Sequence, residues 1–179
     1  MTNYFSLNQK CLMLFTNGNL IDENNKDLGF TLWEKWNFDD TIKEKWKNNE
    51  NAMVELINNR NKVTGATVAF KAVLKNDFLP IKTPVGFWHD AWIAMHAAYP
   101  NGLYFLDEVT INYRIHENQQ IGIISQINYT DKSFISNNFF KKYLSRKFPE
   151  FTTAILKLTQ QNSLLKRLIK KIKKTFRIL

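Results

Sequence analysis

The residues best suited to chemistry fall between positions 89 and 116. His89 and Asp90 are adjacent, after an aromatic loop containing Pro84 and Gly86 and at the start of an alanine-rich stretch. That stretch reads as a helix from Asp90 to Tyr99, ended by Pro100-Asn101-Gly102. A carboxylate beside a helix N-terminus is stabilised there, and in a cleft it can take a proton from a hydroxyl. Asp is also a common helix cap, so both roles stand for Asp90. Arg114 and His116 alternate along a strand-like run, which puts a guanidinium and an imidazole on one side. Such a pair suits a diphosphate or a metal-bound phosphate. A surface Arg–carboxylate pair beside an incidental histidine fits equally well. His96, inside the helix, reads as a core or helix-surface histidine rather than a ligand. Asp39-Asp40 and Asp107-Glu108 read as caps or solvated loops rather than a metal site. No Walker A loop, GxGxxG, HExxH or GxSxG occurs. Cys11 is the only cysteine, which excludes an internal disulfide and a cysteine-based zinc site.

The elements that must position these groups read as mixed α/β. The run LMLF (12–15) is apolar and short, as a buried strand would be, and Thr16-Asn17-Gly18-Asn19 suggests a tight turn after it. Asp39 or Asp40 caps one helix over 41–59, with Ile42, Trp46, Met53, Leu56 and Ile57 facing inward. Lys62 to Phe70 is strand-like. LYFL (103–106) and VTINYRI (109–115) read as two strands separated by Asp107-Glu108. Helices follow over 132–148 and 150–177, with Pro149 as the break.

The 179 residues suffice for one domain with a core and an appendage, and the 44% hydrophobic, 23% charged composition is that of a folded chain. The net charge of +9 is unevenly placed: residues 1–132 carry −2 and residues 133–179 carry +11. In 164–179, LLKRLIKKIKKTFRIL, apolar residues recur every three or four positions. Lys166, Arg167, Lys170, Lys171, Lys173, Lys174 and Arg177 fill the other face, a pattern that suits an anionic membrane surface. A helix packed on the body, or a nucleic-acid contact, is the alternative; few aromatic residues are present for base stacking, so nucleic acid is the weakest partner. No run of 18 apolar residues exists to span a bilayer, and the N-terminus lacks the pattern of a secretory signal. The expected location is the cytoplasm, peripheral at the inner membrane face.

Five segments in order, Val63–Phe70, Leu79-Pro80, His89–Ala94, Tyr104–Glu108 and Tyr113–Gly122, resemble the second half of family-2 glycosyltransferases, in particular rhamnosyltransferase-like members. The resemblance covers residues 63–122, with a weaker likeness at 12–28. It implies an α/β fold, a partial GT-A-type mixed sheet with flanking helices. Residues 1–131 would form the acceptor-side half of that domain and 132–179 a basic helical tail. It also implies inverting transfer of a sugar from a nucleotide-sugar to a glycan or lipid-linked acceptor. By position Asp90 resembles the family's catalytic base, with His89 its neighbour. Gly65, Ala66, Thr67 and Trp88 would lie on the substrate side, and Arg114 near the diphosphate. His116 would lie near the Mg²⁺ or Mn²⁺ that accompanies it. The family's donor-side half, with its Asp-x-Asp motif, has no counterpart in these residues, and Asn17 stands where relatives often carry Asp. Little or no transfer is therefore expected from the chain without a donor-side half. The other reading, of a different class, is a non-catalytic membrane-surface module that keeps the half-fold.

Overall fold

Met13–Ile21 forms the strand, β1, on which the sheet is built, and eight of its nine residues are buried. The computed structural model describes residues 1–58, 60–83, 86–116 and 138–149. By internal contacts the chain divides into two compact units, Met1–Phe140 and Lys141–Leu179. The first is an α/β body with a four-stranded mixed open sheet and flanking helices. After a short helix α1 (Thr2–Leu7) come β1, β2 (Asp27–Thr31), α2 (Leu32–Lys35), α3 (Asp40–Trp46) and α4 (Asn49–Ile57). A 3₁₀ turn at Gly65–Thr67 leads into β3 (Val68–Phe70), and α5 (Lys75–Phe78), α6 (His89–Ala98) and β4 (Leu103–Arg114) complete the body. β4 runs parallel to β1 along its whole length. A strand has only two edges, so the antiparallel β2 and β3 share the other one, at opposite ends of β1.

Four sequence expectations give way here. Thr16-Asn17-Gly18-Asn19 is not a turn; the strand runs straight through it. Asn17 suits the interior because its Oδ1 accepts the N–H groups of Gly18 and Trp33, at 2.9 and 3.0 Å. Gly18 serves close approach, since a Cβ there would sit 2.9 Å from the Ile111 side chain. The single helix over 41–59 is two helices. Asp39 caps the first by accepting from Ile42 N, and Asn48 breaks the run because its side chain accepts from Glu50 N and caps the second. Only Val68–Phe70 of the 62–70 stretch is a strand, because Asn61, Thr64 and Thr67 bend the preceding backbone with their own hydrogen bonds. Finally, 103–106 and 109–115 are one strand to Arg114. Asp107 and Glu108 are absorbed as a bulge between the Thr16–Leu106 and Asn17–Val109 pairs.

The core is aromatic at one end of the sheet. Phe15 contacts Trp33, Phe38, Trp46 and Phe105, with ring centroids 5.6 to 6.0 Å apart. Helix α4 packs against α6, whose residues 91, 92 and 94–98 are buried. The small side chains of Ala91, Ala94, Ala97 and Ala98 suit that close packing. Asn49, at the start of α4, is buried and bonds both backbone groups of Leu103, donating to its oxygen and accepting from its nitrogen at 2.9 Å. The Asn49 amide thus substitutes for a neighbouring strand where β4 begins. Asn49→Ala strands two buried backbone groups and is expected to cost about 2 kcal/mol, read from the urea midpoint at unchanged slope.

In the second unit, Leu144 and Phe148 are buried and the rings of Tyr143 and Phe148 meet edge to face. The helix expected over 132–148 is described as α7 (Asn138–Lys147). The amphipathic segment 164–179, with Lys166, Arg167, Lys170, Lys171, Lys173, Lys174 and Arg177, lies outside the described residues. Among the described residues no helix is long and apolar enough to cross a membrane.

Candidate active site at the start of α6

Helix α6 begins at His89 with Trp88 as its N-cap, and no side chain caps it. Asp90 is therefore not the N-cap but the second residue of the helix. Its Oδ1 accepts Ala91 N at 2.8 Å and Asn61 Nδ2 at 3.0 Å, and its Oδ2 accepts Gly65 N at 3.2 Å. The carboxylate thus ties the start of α6 to the loop that precedes β3. Asp90 is half-buried, as is Trp88, while His89 is exposed.

Short polar side chains shape that loop. Asn61 Oδ1 accepts Val63 N at 3.0 Å, which turns the chain, and its Nδ2 also donates to Val63 O at 2.9 Å. Thr67 is buried and its hydroxyl donates to Thr64 O at 2.8 Å, closing the 3₁₀ turn. Trp36 Nε1 donates to Thr64 Oγ1 at 3.2 Å from the other side. A Cβ on Gly65 would lie 3.4 Å from His89 Nε2 and 3.9 Å from Asp90 Oδ2. Gly65 therefore leaves open the space beside that carboxylate oxygen. Ala66 is exposed next to it.

Burial pushes the Asp90 carboxyl above its ordinary range. The Ala91 N–H, the His89 charge and the Gly65 N–H pull it back down, but burial prevails. Tyr113, from β4, has its phenol pushed up by burial and then by the Asp90 charge. Burial pushes the half-buried Lys62 ammonium down; it donates to the carbonyl of Trp36. A half-buried carboxylate of weakened acidity takes up a proton more readily than an exposed one, the property a general base needs.

The structure thus brings together His89, Asp90 and Gly65, with Ala66 and Thr67 in the adjoining turn and Trp88 at the helix start. It does not bring Arg114 to them. Neighbouring strand residues face opposite ways, and Arg114 follows Tyr113, whose phenol feels the Asp90 charge. The Arg114 guanidinium donates to the carbonyls of Asp22 and Glu23 at 2.9 Å and to Asn25 Oδ1 at 2.6 Å, holding the β1–β2 turn. Arg114→Ala is expected to speed amide exchange at Asn24 and Lys26, whose N–H groups Asp22 accepts, without moving the global melting temperature. His116 is half-buried just past the end of β4. Among the described residues no group of three His, Cys, Asp or Glu side chains could hold a metal ion. The described residues therefore do not gather the side chains that the expected Mg²⁺ or Mn²⁺ would need. His96 is in the core, with Nδ1 2.7 Å from Trp92 O and its ring against the indole.

Two neighbours of Asp90 escaped the sequence reading, Asn61 and Tyr113. Asn61 lies far along the chain from Asp90, and only its place in an Asx turn marks it. Tyr113 stands beside Arg114, which drew attention by its charge.

A separate open cleft of about 500 Å³ is lined by, among others, Asn17, Trp33, Glu34, Asp39, Asp40 and Lys43. None of the residues around Asp90 lines it. The Lys43 ammonium lies 5.0 Å from the Trp33 ring centre and bonds Asp107 at 2.7 Å and Asp40 at 3.3 Å. Burial alone would push that ammonium down, but these two carboxylates more than offset it and its pKa is raised. Of the adjacent acid pairs, Asp39 thus serves as a cap, and Asp40 and Asp107 as ion-pair partners.

No family model, no curated protein and no solved structure matches the chain.

Proposed function

We propose that this chain is the acceptor-side half of an inverting, GT-A-type glycosyltransferase of family 2, with Asp90 as the base. It would move a sugar from a nucleotide-sugar to a glycan or lipid-linked acceptor. The observation that carries the reading is the Asp90 carboxylate itself: half-buried at the start of α6, raised in pKa, and facing the space that Gly65 leaves open. The order of sequence segments that resembles such enzymes supports the same reading. A base in this position removes the proton of the attacking hydroxyl, and the leaving diphosphate is stabilised by groups of a donor-side half. The basic face of 164–179 would hold the assembly on an anionic membrane surface, where lipid-linked acceptors reside.

The test is transfer of labelled sugar from a panel of nucleotide-sugars to lipid-linked acceptors, in membranes that contain the chain with a donor-side half. Transfer that depends on Asp90 carries the proposal. Transfer equal in wild type and Asp90→Asn, or none with any donor, ends it.

A further inference from the structure

From other described residues Asp90 accepts three hydrogen bonds, and they are unequally shared. Oδ1 receives two, from Ala91 N and Asn61 Nδ2, whereas Oδ2 receives one, from Gly65 N. A carboxylate oxygen offers two in-plane lone pairs, so among the described residues Oδ1 is filled and Oδ2 keeps one open. The space beside Oδ2 is the side where Gly65 lacks a Cβ and the His89 ring stands near. We infer that Asn61 is a positioning residue for Asp90: by occupying Oδ1 it leaves Oδ2 as the oxygen that receives the acceptor's proton. The inference rests on the reading of Asp90 as a base.

In that step the acceptor O–H bond breaks and its hydrogen passes to Oδ2. The electron pair stays on the acceptor oxygen, which bonds to the anomeric carbon of the nucleotide-sugar as the bond to the diphosphate breaks. Asn61 does not touch the reacting atoms. Its position is fixed by its own bonds to both backbone groups of Val63, so its amide cannot swing away when Asp90 changes charge. Because Nδ2 donates, it favours the ionised carboxylate and opposes the burial that weakens the acid. Among the described residues, the other titratable groups that act on Asp90 or feel its charge are His89 on its own helix and Tyr113 on β4.

The experiment is an NMR titration of the whole chain, following the Asp90 carboxyl carbon and the Asn61 side-chain amide in wild type and Asn61→Ala. In wild type the Asn61 Nδ2–H signals are expected to shift with the Asp90 titration. In Asn61→Ala the Asp90 acid constant is expected to be about tenfold smaller, the loss of one donor to a charged acceptor. A turn-forming role alone would leave that constant where it was. An Asn61 amide indifferent to the Asp90 titration overturns the inference, and that observation needs no variant to fold. An unchanged acid constant in a folded Asn61→Ala overturns it as well. Should the base reading alone be wrong, these shifts persist while Asp90→Asn leaves transfer intact.

Discussion

In the proposed transfer, with a donor-side half supplied, Asp90→Asn is expected to lower the rate by about 10²–10⁴-fold, the span a positioned general base contributes. The amide keeps the carboxylate's shape and can still accept at one oxygen, so fold loss does not account for such a drop. It cannot take up a proton at neutral pH. The stability of the two proteins separates the roles further. Asp90 has a raised pKa in the folded state, so between the ordinary carboxylate value and the raised one the folded chain binds more protons than the unfolded chain. The stability contributed by the neutral form is thus fully present below the unfolded value. It is lost as pH rises through the folded value. Melting temperature in wild type should therefore decline with rising pH across that window, and the part due to Asp90 should vanish in Asp90→Asn. A wild-type curve flat where the variant is also flat would show that the carboxyl is not held in this environment.

The largest effect on stability is expected from Phe15→Ala, about 3–5 kcal/mol. Phe15 is fully buried in β1, and its ring meets two phenylalanines and two tryptophans drawn from β4, α2, α3 and the loop between those helices. Large rigid rings cannot collapse into the space that its removal leaves, so the cavity persists and the upper part of the range applies. Phe15→Leu should cost far less, because most of the buried volume is kept. Urea unfolding of both variants measures the difference. A Phe15→Ala loss below 1 kcal/mol would mean that the aromatic cluster is not packed as described.

Where near-complete burial or a local cap dictates an element, the sequence was readable. The apolar LMLF run marked the sheet centre, the Asp39-Asp40 pair the start of α3, and the alanine-rich stretch α6. Legibility failed where the hydrogen bonds of short polar side chains, local or distant, decide the backbone or the site. Asn17 and Gly18 look like a turn because turns are their usual place; only the distant Trp33 N–H and Ile111 side chain make them strand residues. Asn48 looks like any other helix-surface residue until its side chain caps α4. Of the candidate site, the pair His89-Asp90 was evident from helix position. Its neighbours were not. Asn61 reaches Asp90 across 29 positions, and no local period marks such a contact. The expected Arg114–His116 alternation needs a strand through residue 116, whereas β4 ends at Arg114, and nothing local reveals that the guanidinium is held by the β1–β2 turn.

The parallel pairing of β1 with β4 sets the order in which this protein can fold during synthesis. Met13 pairs with Leu103, and Thr16 shares a hydroxyl hydrogen bond with Thr110, 94 positions away. The central strand emerges from the ribosome early but lacks its longest partner until β4 has followed. Through that interval one edge of the apolar Met13-Leu14-Phe15 segment, the one opposite β3, is unpaired and open to association with other chains or to capture by a chaperone. Contacts so distant in sequence also slow folding of the released chain.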